Sequence, residues 1–407
     1  MRIAILSEFP RSRDRAVGGL EAVARELAGA LATQDGLEVH VVSFHANLAG
    51  PSQEDVDGVR VHRFPLPQRF GNVTRGAAER RATAARLRAI RPDVVHSLGL
   101  GPKALAAADA GFPWLVSVNG IQSNEAHTSG GFKNRVRAAV LAGMENAGLK
   151  RAKDVIVPSD VVADMLRGRL GSARVHTIEN PVHERFFALR PAGDPSNVLC
   201  VGRILPLKAP EDLIEAARLL ASNGRHLRVR FVGPPDDRWY LETLKERARA
   251  AGLGGRVTFL GGVPDEQLEA EVAAAGVLAH PSRVEVAPLS VMQAMAAGLP
   301  VVATNVGATS RLVDPGRTGF LVPAGQPARI ARALGQLLDD PGRARRMGAA
   351  GRQDAEARFR LARHVERTLE VYRHVRDRAL DSTGSKRRNR LELRQVAPGA
   401  AARRGEP

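Results

Sequence analysis

Short apolar runs alternate with helix-length amphipathic segments along most of the chain. In residues 20–32, apolar side chains recur every three or four positions, which predicts an amphipathic helix. The runs between such segments are rich in Val and Ile, as is typical of strands buried on both faces. The alternation therefore predicts an α/β fold with parallel sheets. The predicted strands are residues 2–6, 39–44, 59–64, 93–97, 114–118, 154–158, 174–178, 198–201, 228–232, 257–260, 277–279, 301–303 and 320–322.

The alternation is interrupted once, near the middle of the chain. It lapses at Asn180-Pro181, and the Pro/Gly-rich stretch that soon follows, RPAGDPS, reads as a linker. We therefore predict two doubly wound, Rossmann-like domains, residues 1–190 and 191–357. A C-terminal helix at 358–381 is expected to pack back toward the first domain, and 382–407 has the composition of a disordered basic tail. Ligands of such folds bind at the carboxyl ends of the strands, so we expect a site in the cleft between the two sheets.

The charge of the chain suggests affinity for anions. Its 407 residues include 60 Lys plus Arg and 43 Asp plus Glu, a formal net charge of +17. Of the basic residues 53 are Arg and 7 are Lys, a bias that looks like GC-rich coding and weakens the charge as a functional signal. Aromatic residues make up only 4%, whereas sheets that read RNA need aromatic platforms. We expect general anion affinity and no specific recognition of nucleic acid.

Cysteine content and hydropathy exclude several classes of protein. The single cysteine, Cys200, rules out an intramolecular disulfide framework and a cysteine-rich zinc module. No stretch approaches the roughly 20 apolar residues that cross a bilayer, and the first apolar run is too short for a signal peptide. We predict a cytoplasmic protein, with peripheral attachment to the inner face of the membrane as an alternative.

Two loops that follow predicted strands carry residues suited to phosphate binding. Gly18 and Gly19 lie between the first strand and the first helix, where backbone N–H groups can approach an anion closely. Arg203 and Lys208 lie in GRILPLK, after the first strand of the second half, and place two cations before a helix. Taken alone, the glycine pair is also explained by a turn that needs positive φ, and either cation by solvated loop charge.

A third segment, HPSRVEVAPLSVMQAMAAGLPVVA, surrounds a short helix. Pro288 suits the first position of that helix, and Gly298 followed by Pro300 ends it. Glu285 comes just before the helix, and Gln293 lies more than one turn inside it. We expect the N-terminus of this helix to point into the cleft, with both side chains near the same bound molecule.

Together and in this order, these segments resemble the family-four retaining glycosyltransferases of the GT-B fold. Members of that family move a sugar from a nucleotide-sugar to an acceptor. The resemblance extends from Arg2 to about Leu380. Besides the segments above, it includes IENPV followed by Phe186, then FVG, the run 257–261 and GFLVP.

The resemblance implies a role for each matching residue. Arg203 and Lys208 match the basic pair that holds the donor diphosphate and stabilises the leaving nucleotide. Glu285 matches the first glutamate of the family's Glu-x7-Glu motif, which contacts the transferred sugar. These three are the expected catalytic residues. The expected donor-binding residues are Gly18, Gly19, Asn119, Gly262, Val263, Ala287, Pro288, Leu289, Ser290 and Gln293.

No metal is expected, and no cofactor other than the nucleotide-sugar, which is a co-substrate. The Asp-x-Asp spelling at 55–57 reads as a surface turn before a strand rather than as a phosphate loop. The implied partners are a nucleotide-sugar donor and an acceptor that is a glycan, a lipid-linked sugar or a small molecule. The loop 121–132 is where an acceptor choice is expected to lie.

The chain departs from the family pattern at three positions. The second glutamate of Glu-x7-Glu is Gln293, which loses a charge-assisted bond to ribose. The His of the usual Val-His-Gly is Asn119, which keeps hydrogen-bonding capacity without a titratable group. An acidic residue that usually follows the glycine turn near 307 is Arg311. These departures leave the donor preference open, together with a weakened or non-catalytic homologue.

Several other residues have two interpretations. The seven-arginine stretch is either a solvated helix face or a patch for anionic lipid or a phosphate-bearing acceptor. His96, in a predicted strand, is interpreted as a core or cleft-rim histidine rather than a base, and His280 is one of several scattered histidines that lack the spacing of metal ligands. Cys200, inside an apolar strand, is expected to be an inert buried thiol. The arginine stretch comprises Arg69, Arg75, Arg80, Arg81, Arg86, Arg88 and Arg91.

Four functions therefore remain to be separated. A metal-independent retaining glycosyltransferase is the leading interpretation. A nucleotide-sugar epimerase or hydrolase would keep the fold but need no acceptor. A non-catalytic nucleotide-sugar-binding protein would bind the donor without turnover. A nucleic-acid binder would depend on the basic tail and on salt concentration.

Overall fold

A computed structural model describes residues 1–11, 18–45, 48–65, 72–121, 132–191 and 193–395, with the backbone alone at 72–76, 132–134 and 382–395. Within these residues the chain forms two α/β domains, each built on a mostly parallel sheet. The predicted fold class is confirmed. Each run of Val and Ile expected to be a strand is one, to within two residues at either end.

The N-terminal sheet has eight strands in the described residues, in the order β3-β4-β2-β1-β5-β6-β7-β8. All neighbours are parallel except β3 and β4, which form an antiparallel hairpin. The turn of that hairpin is Asp57-Gly58, and both residues have positive φ. The strands are β1 Arg2–Leu6, β2 Glu38–His45, β3 Ser52–Val56, β4 Val59–Pro65, β5 Val94–Leu98, β6 Trp114–Ser117, β7 Asp154–Val157 and β8 Arg174–Thr177.

Helices cover both faces of this sheet. The first packs Ala24, Leu27 and Leu31 against strand residues such as Ile3 and Val41 in one buried cluster, as its three/four spacing predicts. The helices are α1 Gly19–Ala32, α2 Asn72–Ile90, α3 Pro102–Ala110, α4 Phe132–Arg151 and α5 Asp160–Leu166.

The C-terminal sheet follows a short helix, α6 Glu184–Ala188, and is parallel throughout its six described strands. Its order, β11-β10-β9-β12-β13-β14, changes direction between β9 and β12. The strands are β9 Asn197–Val201, β10 Arg228–Val232, β11 Val257–Gly261, β12 Val277–His280, β13 Val301–Thr304 and β14 Gly319–Val322. The helices are α7 Pro210–Ala221, α8 Arg238–Ala250, α9 Asp265–Ala274, α10 Leu289–Ala297, α11 Thr309–Leu312, α12 Pro327–Asp339 and α13 Pro341–Arg358.

The last helix, α14 Leu361–Gln395, returns to the N-terminal sheet. Val365, Leu369 and Tyr372 join the buried cluster formed by α1 and that sheet. The Tyr372 hydroxyl lies 2.7 Å from His96 Nδ1, and His96 Nε2 lies 2.6 Å from Ser117 Oγ, so His96 is a hydrogen-bonded core residue. This helix crosses between the two domains and ties them together.

Three local features differ from the sequence predictions. The helical backbone of α14 continues to Gln395, past position 382 where the sequence predicts a disordered tail, and no proline interrupts it before Pro398. Residues 396–407 lie outside the described part. The Asp-x-Asp spelling at 55–57 is not a turn alone, since β3 includes Asp55 and Val56. Pro288 caps α10 instead of occupying its first position.

The carboxyl ends of the two sheets face each other. A Cβ at Gly19, at the start of α1, would lie 3.8 Å from Leu289 Cβ at the start of α10. Val118 and Ile121, after β6, share a buried apolar cluster with Val286 and Ala308, which follow β12 and β13. This is the arrangement in which a ligand can touch both domains.

Candidate active site

The site lies where the C-terminal sheet changes direction, between β9 and β12. Open α/β sheets bind ligands at this point because the loops after the two strands diverge and leave a crevice. Here the loop after β9 carries Arg203 and Lys208, and the loop after β12 carries Glu285. A small pocket at this position is lined by Gly202, Arg203, Lys208, His280 and Ser282, among others.

A tight turn fixes the position of Lys208. Residues Pro206–Lys208 form one 3-10 turn, which ends at Ala209 with φ of +48°. The N–H of Arg283 donates to the carbonyl of Leu207 at 2.7 Å, which ties the β12 loop to this turn. The two loops are therefore held together by the backbone, independently of any ligand.

Glu285 is buried, and one of its carboxylate oxygens contacts both Lys208 and His280. Its Oε1 lies 2.5 Å from Lys208 Nζ and 2.7 Å from His280 Nε2. Ser290 Oγ, in the first turn of α10, lies 3.5 Å from the other ring nitrogen of His280. If Nε2 of His280 carries the proton, it donates to Glu285 while Nδ1 accepts from Ser290. Lys208, Glu285 and His280 thus form one cluster.

This cluster keeps the carboxylate charged. Burial alone would raise the pKa of Glu285, but Lys208 and His280 outweigh that effect and hold the pKa well below its usual range. The backbone beside it is equally constrained. Gly307 has φ of +50°, and a Cβ there would lie 1.8 Å from the carbonyl oxygen of Glu285, so only glycine fits.

Arg203 lines the same pocket but points its guanidinium at Asp236. Its Nε lies 2.9 Å from Asp236 Oδ1, and a second contact joins Nη2 to the other carboxylate oxygen. The loops carrying the two residues are paired through the N–H of Ile204, which donates to the Pro234 carbonyl at 2.9 Å. Both side chains are about two-fifths exposed, at 43% and 38%. Arg203 is therefore held near the pocket by an exposed, forked ion pair.

The remaining expected residues of the C-terminal domain follow β11 and β12 and are not among the residues that line this pocket. Ala287, Pro288, Leu289 and Ser290 form the entry to α10, whose first-turn N–H groups have no helical acceptors. Gln293 is half-buried in the second turn. Gly262 and Val263 follow β11, two strands from β9, which puts them roughly 10 Å to one side.

From the N-terminal domain, the structure brings Gly18, Gly19 and Asn119 to the opposing edge. Gly18 is extended, with φ of −165°, and a Cβ there would meet nothing within 4 Å. A need for positive φ therefore does not explain why position 18 is a glycine. Asn119 Nδ2 is buried and has no hydrogen-bond partner among the described residues. Its neighbours Val118 and Ile121 share a buried cluster with Val286, which places residue 119 near the Glu285 loop.

The departure at Arg311 is compensated by the opposite domain. Arg311 Nη2 lies 2.7 Å from Asp160 Oδ2, at the start of α5. The pair joins the two domains, although both side chains are more than half exposed and such pairs contribute little.

Two members of the site were not expected from the sequence. No sequence motif predicts a role in the site for His280 or for Asp236. The signal for His280 is its position at the end of β12, five residues before Glu285. Asp236 follows β10, whose carboxyl end is next to that of β9. Cys200 is buried as expected, and burial raises the pKa of its thiol to about 12.

The sequence analysis also raised metal binding, membrane attachment and the arginine stretch. In the described part of the chain, no group of three or more His, Cys, Asp or Glu side chains is arranged to hold a metal ion. None of the described helices combines the length and apolar composition needed to cross a membrane. In the arginine stretch, Arg80 pairs with Asp109 and Arg86 contacts Gln53. Arg69 and most of the loop 121–132 lie outside the described residues.

Comparisons with known proteins agree with this architecture. A model named Glycosyltransferase Family 4 matches residues 17–186, and a model named Glycosyl transferases group 1 matches residues 182–354. The Thermosynechococcus elongatus sucrose-phosphate synthase superposes with a TM-score of 0.79 at 24% identity, over 92% of this chain and 98% of that one. The similarity to this solved structure concerns the fold alone.

Two curated relatives have the same activity in their names. A D-inositol 3-phosphate glycosyltransferase 1 of Catenulispora acidiphila is 32% identical over 88% of this chain and 90% of its own length. A D-inositol 3-phosphate glycosyltransferase of Nocardia farcinica is 40% identical over 54% of this chain, a match that spans about half (47%) of the relative. With both family models and a relative matched over nearly its whole length, the chain belongs to the family-four glycosyltransferases, which have the GT-B fold.

Proposed function

We propose that this glycosyltransferase moves a sugar from a UDP- or GDP-sugar to its acceptor with retention of configuration and without a metal ion. The observation that carries the proposal is the cluster of Lys208, Glu285 and His280 at the point where the sheet changes direction. Arg203 lines the same pocket, and Gly19 approaches α10 from the opposite domain.

The cations act on the leaving nucleotide. As the glycosidic bond to phosphate breaks, negative charge grows on the diphosphate. Lys208 and Arg203 line one pocket, and we assign them, together with the N–H groups at the start of α10, to the stabilisation of that charge. For Arg203 to bind the diphosphate bidentately, it exchanges Asp236 for phosphate oxygens. These groups supply the charge compensation that a metal ion provides in other transferases.

Glu285 is suited to bind the sugar rather than to attack it. Its lowered pKa makes the carboxylate a weak nucleophile, because basicity and nucleophilicity fall together. Its second oxygen can accept hydrogen bonds from sugar hydroxyls. Retention then follows from attack by the acceptor on the face that the nucleotide leaves, with the acceptor held by the N-terminal domain.

The acceptor is a glycan, a lipid-linked sugar or a small molecule. The named acceptor of the two curated relatives, D-inositol 3-phosphate, supports a small phosphorylated polyol as the first candidate to test. We also propose a cytoplasmic location, with peripheral membrane contact as the alternative for a lipid-linked acceptor.

Transfer by the purified full chain tests this proposal. UDP- and GDP-sugars are supplied with D-inositol 3-phosphate or a glycan acceptor, with and without EDTA, and the product anomer is determined by NMR. We expect a retained anomer and a rate that EDTA does not change. Arg203→Ala should lower kcat by about 10²–10³-fold, as does loss of other preorganised groups that stabilise developing charge.

Arg218→Ala is the matched control, because Arg218 is also 43% exposed and forms an ion pair, with Glu215, on α7 away from the site. It should retain full activity. Equal rates for wild type and Arg203→Ala, or an inverted product, would contradict the proposal. Free sugar or an epimer without any need for acceptor would favour the hydrolase or epimerase. Donor binding without turnover would favour a non-catalytic homologue.

A further inference from the structure

Six charged or titratable side chains meet where α1, α6 and α9 converge, away from the pocket. We name this group the interdomain charge cluster: Arg25, Glu26, His183, Arg185, Asp265 and Glu269. Asp265 Oδ2 lies 2.8 Å from Arg25 Nη2 and 2.9 Å from Arg185 Nη2. One carboxylate oxygen therefore joins α1 of the N-terminal domain to the connecting segment and to the C-terminal domain.

The outer members of the cluster balance the two arginines. Arg25 is also 3.2 Å from Glu26 Oε1, and Arg185 Nε is 3.1 Å from Glu269 Oε1. His183 Nε2 lies 3.6 Å from the second oxygen of Glu26, and burial lowers the pKa of His183. Among these contacts, Asp265 is the carboxylate that both arginines share.

The cluster is much less exposed than the ion pair of Arg311 with Asp160, which also joins the domains. The side chains of Asp265, Arg25 and Arg185 are 13%, 18% and 23% exposed. Those of Arg311 and Asp160 are 57% and 61% exposed. Removing one partner of a buried pair leaves an uncompensated charge, whereas exposed pairs contribute little. Asp265 is therefore the interdomain carboxylate whose loss should have the larger effect.

The position of Asp265 connects it with the donor site. It is the first residue of α9 and comes directly after the loop that holds Gly262 and Val263. Arg25 is on α1, which begins at Gly19 opposite Leu289, and six residues along a helix correspond to roughly 9 Å. The ion pair of Arg25 with Asp265 thus fixes the loop at 262–263, on one edge of the expected donor site, relative to α1 on the other edge.

We infer that Asp265 is a positioning residue, which holds the loop at 262–263 against α1 through Arg25 and Arg185 and so sets the affinity for the base end of the donor. This inference rests on the proposed function, because it takes that loop as the segment that contacts the base. The diphosphate end, held by Lys208 and Arg203, does not depend on the cluster.

Calorimetric titration of the full chain with UDP, GDP and inorganic pyrophosphate tests the inference. Asp265→Asn should lower the affinity for the nucleotide that wild type binds by about tenfold. Its affinity for pyrophosphate should stay within about twofold of the wild-type value. Arg25→Gln should act in the same way from the opposite domain. The double variant should bind no more weakly than either single variant, because both remove the same contact. Asp265→Glu, which keeps the charge, should recover part of the affinity.

Asp160→Asn is the matched control, since it removes the exposed pair with Arg311 by the same change of side chain, and its nucleotide affinity should equal that of wild type. Thermal unfolding of each variant separates weak binding from misfolding, and Arg25→Gln carries the test if Asp265→Asn does not fold. Nucleotide affinity unchanged in Asp265→Asn and Arg25→Gln, or equal weakening for nucleotide and pyrophosphate, overturns the inference. Failure of wild type to bind either nucleotide instead contradicts the proposed function.

Discussion

Glu285 remains ionised in a buried position because Lys208 and His280 share one of its oxygens. The carboxylate is 6% exposed, yet its pKa is lowered, which means that the two partners outweigh the cost of burial. The arrangement leaves the other oxygen available for a sugar. At the residue scale, therefore, the site is organised before any ligand binds.

The pH dependence of stability follows from this pKa shift. A carboxyl whose folded pKa lies below its unfolded value near 4.5 stabilises the fold above that value, and the contribution is lost as pH falls through and below it. Breaking a buried pair costs about 3–5 kcal/mol, and the partial exposure of Lys208 reduces this to about 2 kcal/mol for Glu285→Gln at pH 7.

Denaturant unfolding of wild type and Glu285→Gln from pH 7 to pH 3.5 measures this difference. The gap in unfolding free energy should be constant down to about pH 5 and narrow below pH 4.5. Glu242→Gln, which removes an exposed partner of Lys245 on α8, should change stability little at any pH. A gap for Glu285→Gln that does not change over the whole range is incompatible with a shifted pKa at this residue.

At the scale of elements, the site depends on backbone contacts between the loops that follow β9, β10, β12 and β13. Gly233, after β10, has φ of +146°, and a Cβ there would lie 2.0 Å from the carbonyl oxygen of Gly202. Gly307, after β13, approaches Glu285 in the same way. Glycine at these positions allows the loops to pack closely enough for their side chains to meet in one pocket.

Gly307→Ala should therefore displace the backbone of Glu285 and lower kcat by at least tenfold. Gly316→Ala is the control, because Gly316 also has positive φ, +84°, but nothing lies within 4 Å of a Cβ there. It should lose only the roughly 1–2 kcal/mol of a left-handed residue and keep its activity. Steady-state kinetics with thermal unfolding distinguishes the two effects, and equal kcat in both variants would contradict the role assigned to Gly307.

The sequence predicts buried strands well and exposed edge strands poorly, and the reason is physical. Buried strands such as β1 and β13 are visible as apolar runs, because burial on both faces selects Val and Ile. Strand β3, SQEDV, is an exposed edge strand without such a run, and it was missed. Lys208 and Glu285 were expected from a motif, whereas the roles of His280, Asp236 and Asp265 arise from contacts between loops or domains that no local pattern contains.

At the scale of the whole molecule, apolar packing, ion pairs and the last helix are among the contacts that hold the two domains with their carboxyl ends opposed. Val286 packs against apolar side chains after β6, Asp265 joins α1 to α9, and α14 returns to the N-terminal sheet. In the proposed function, the C-terminal domain binds the donor and the N-terminal domain covers it. Closure of such a cleft excludes water, which would otherwise hydrolyse the donor.

The central claim is that Lys208, beside Glu285, forms part of a binding site for the diphosphate of a nucleotide. The most direct measurement is calorimetric titration of UDP and GDP into wild type, Lys208→Ala and Lys245→Ala, where Lys245 is an exposed lysine on α8 paired with Glu242. The account predicts that wild type and Lys245→Ala bind the same nucleotide equally and that Lys208→Ala binds it at least tenfold more weakly. Equal binding by all three proteins, or binding by none, would contradict it.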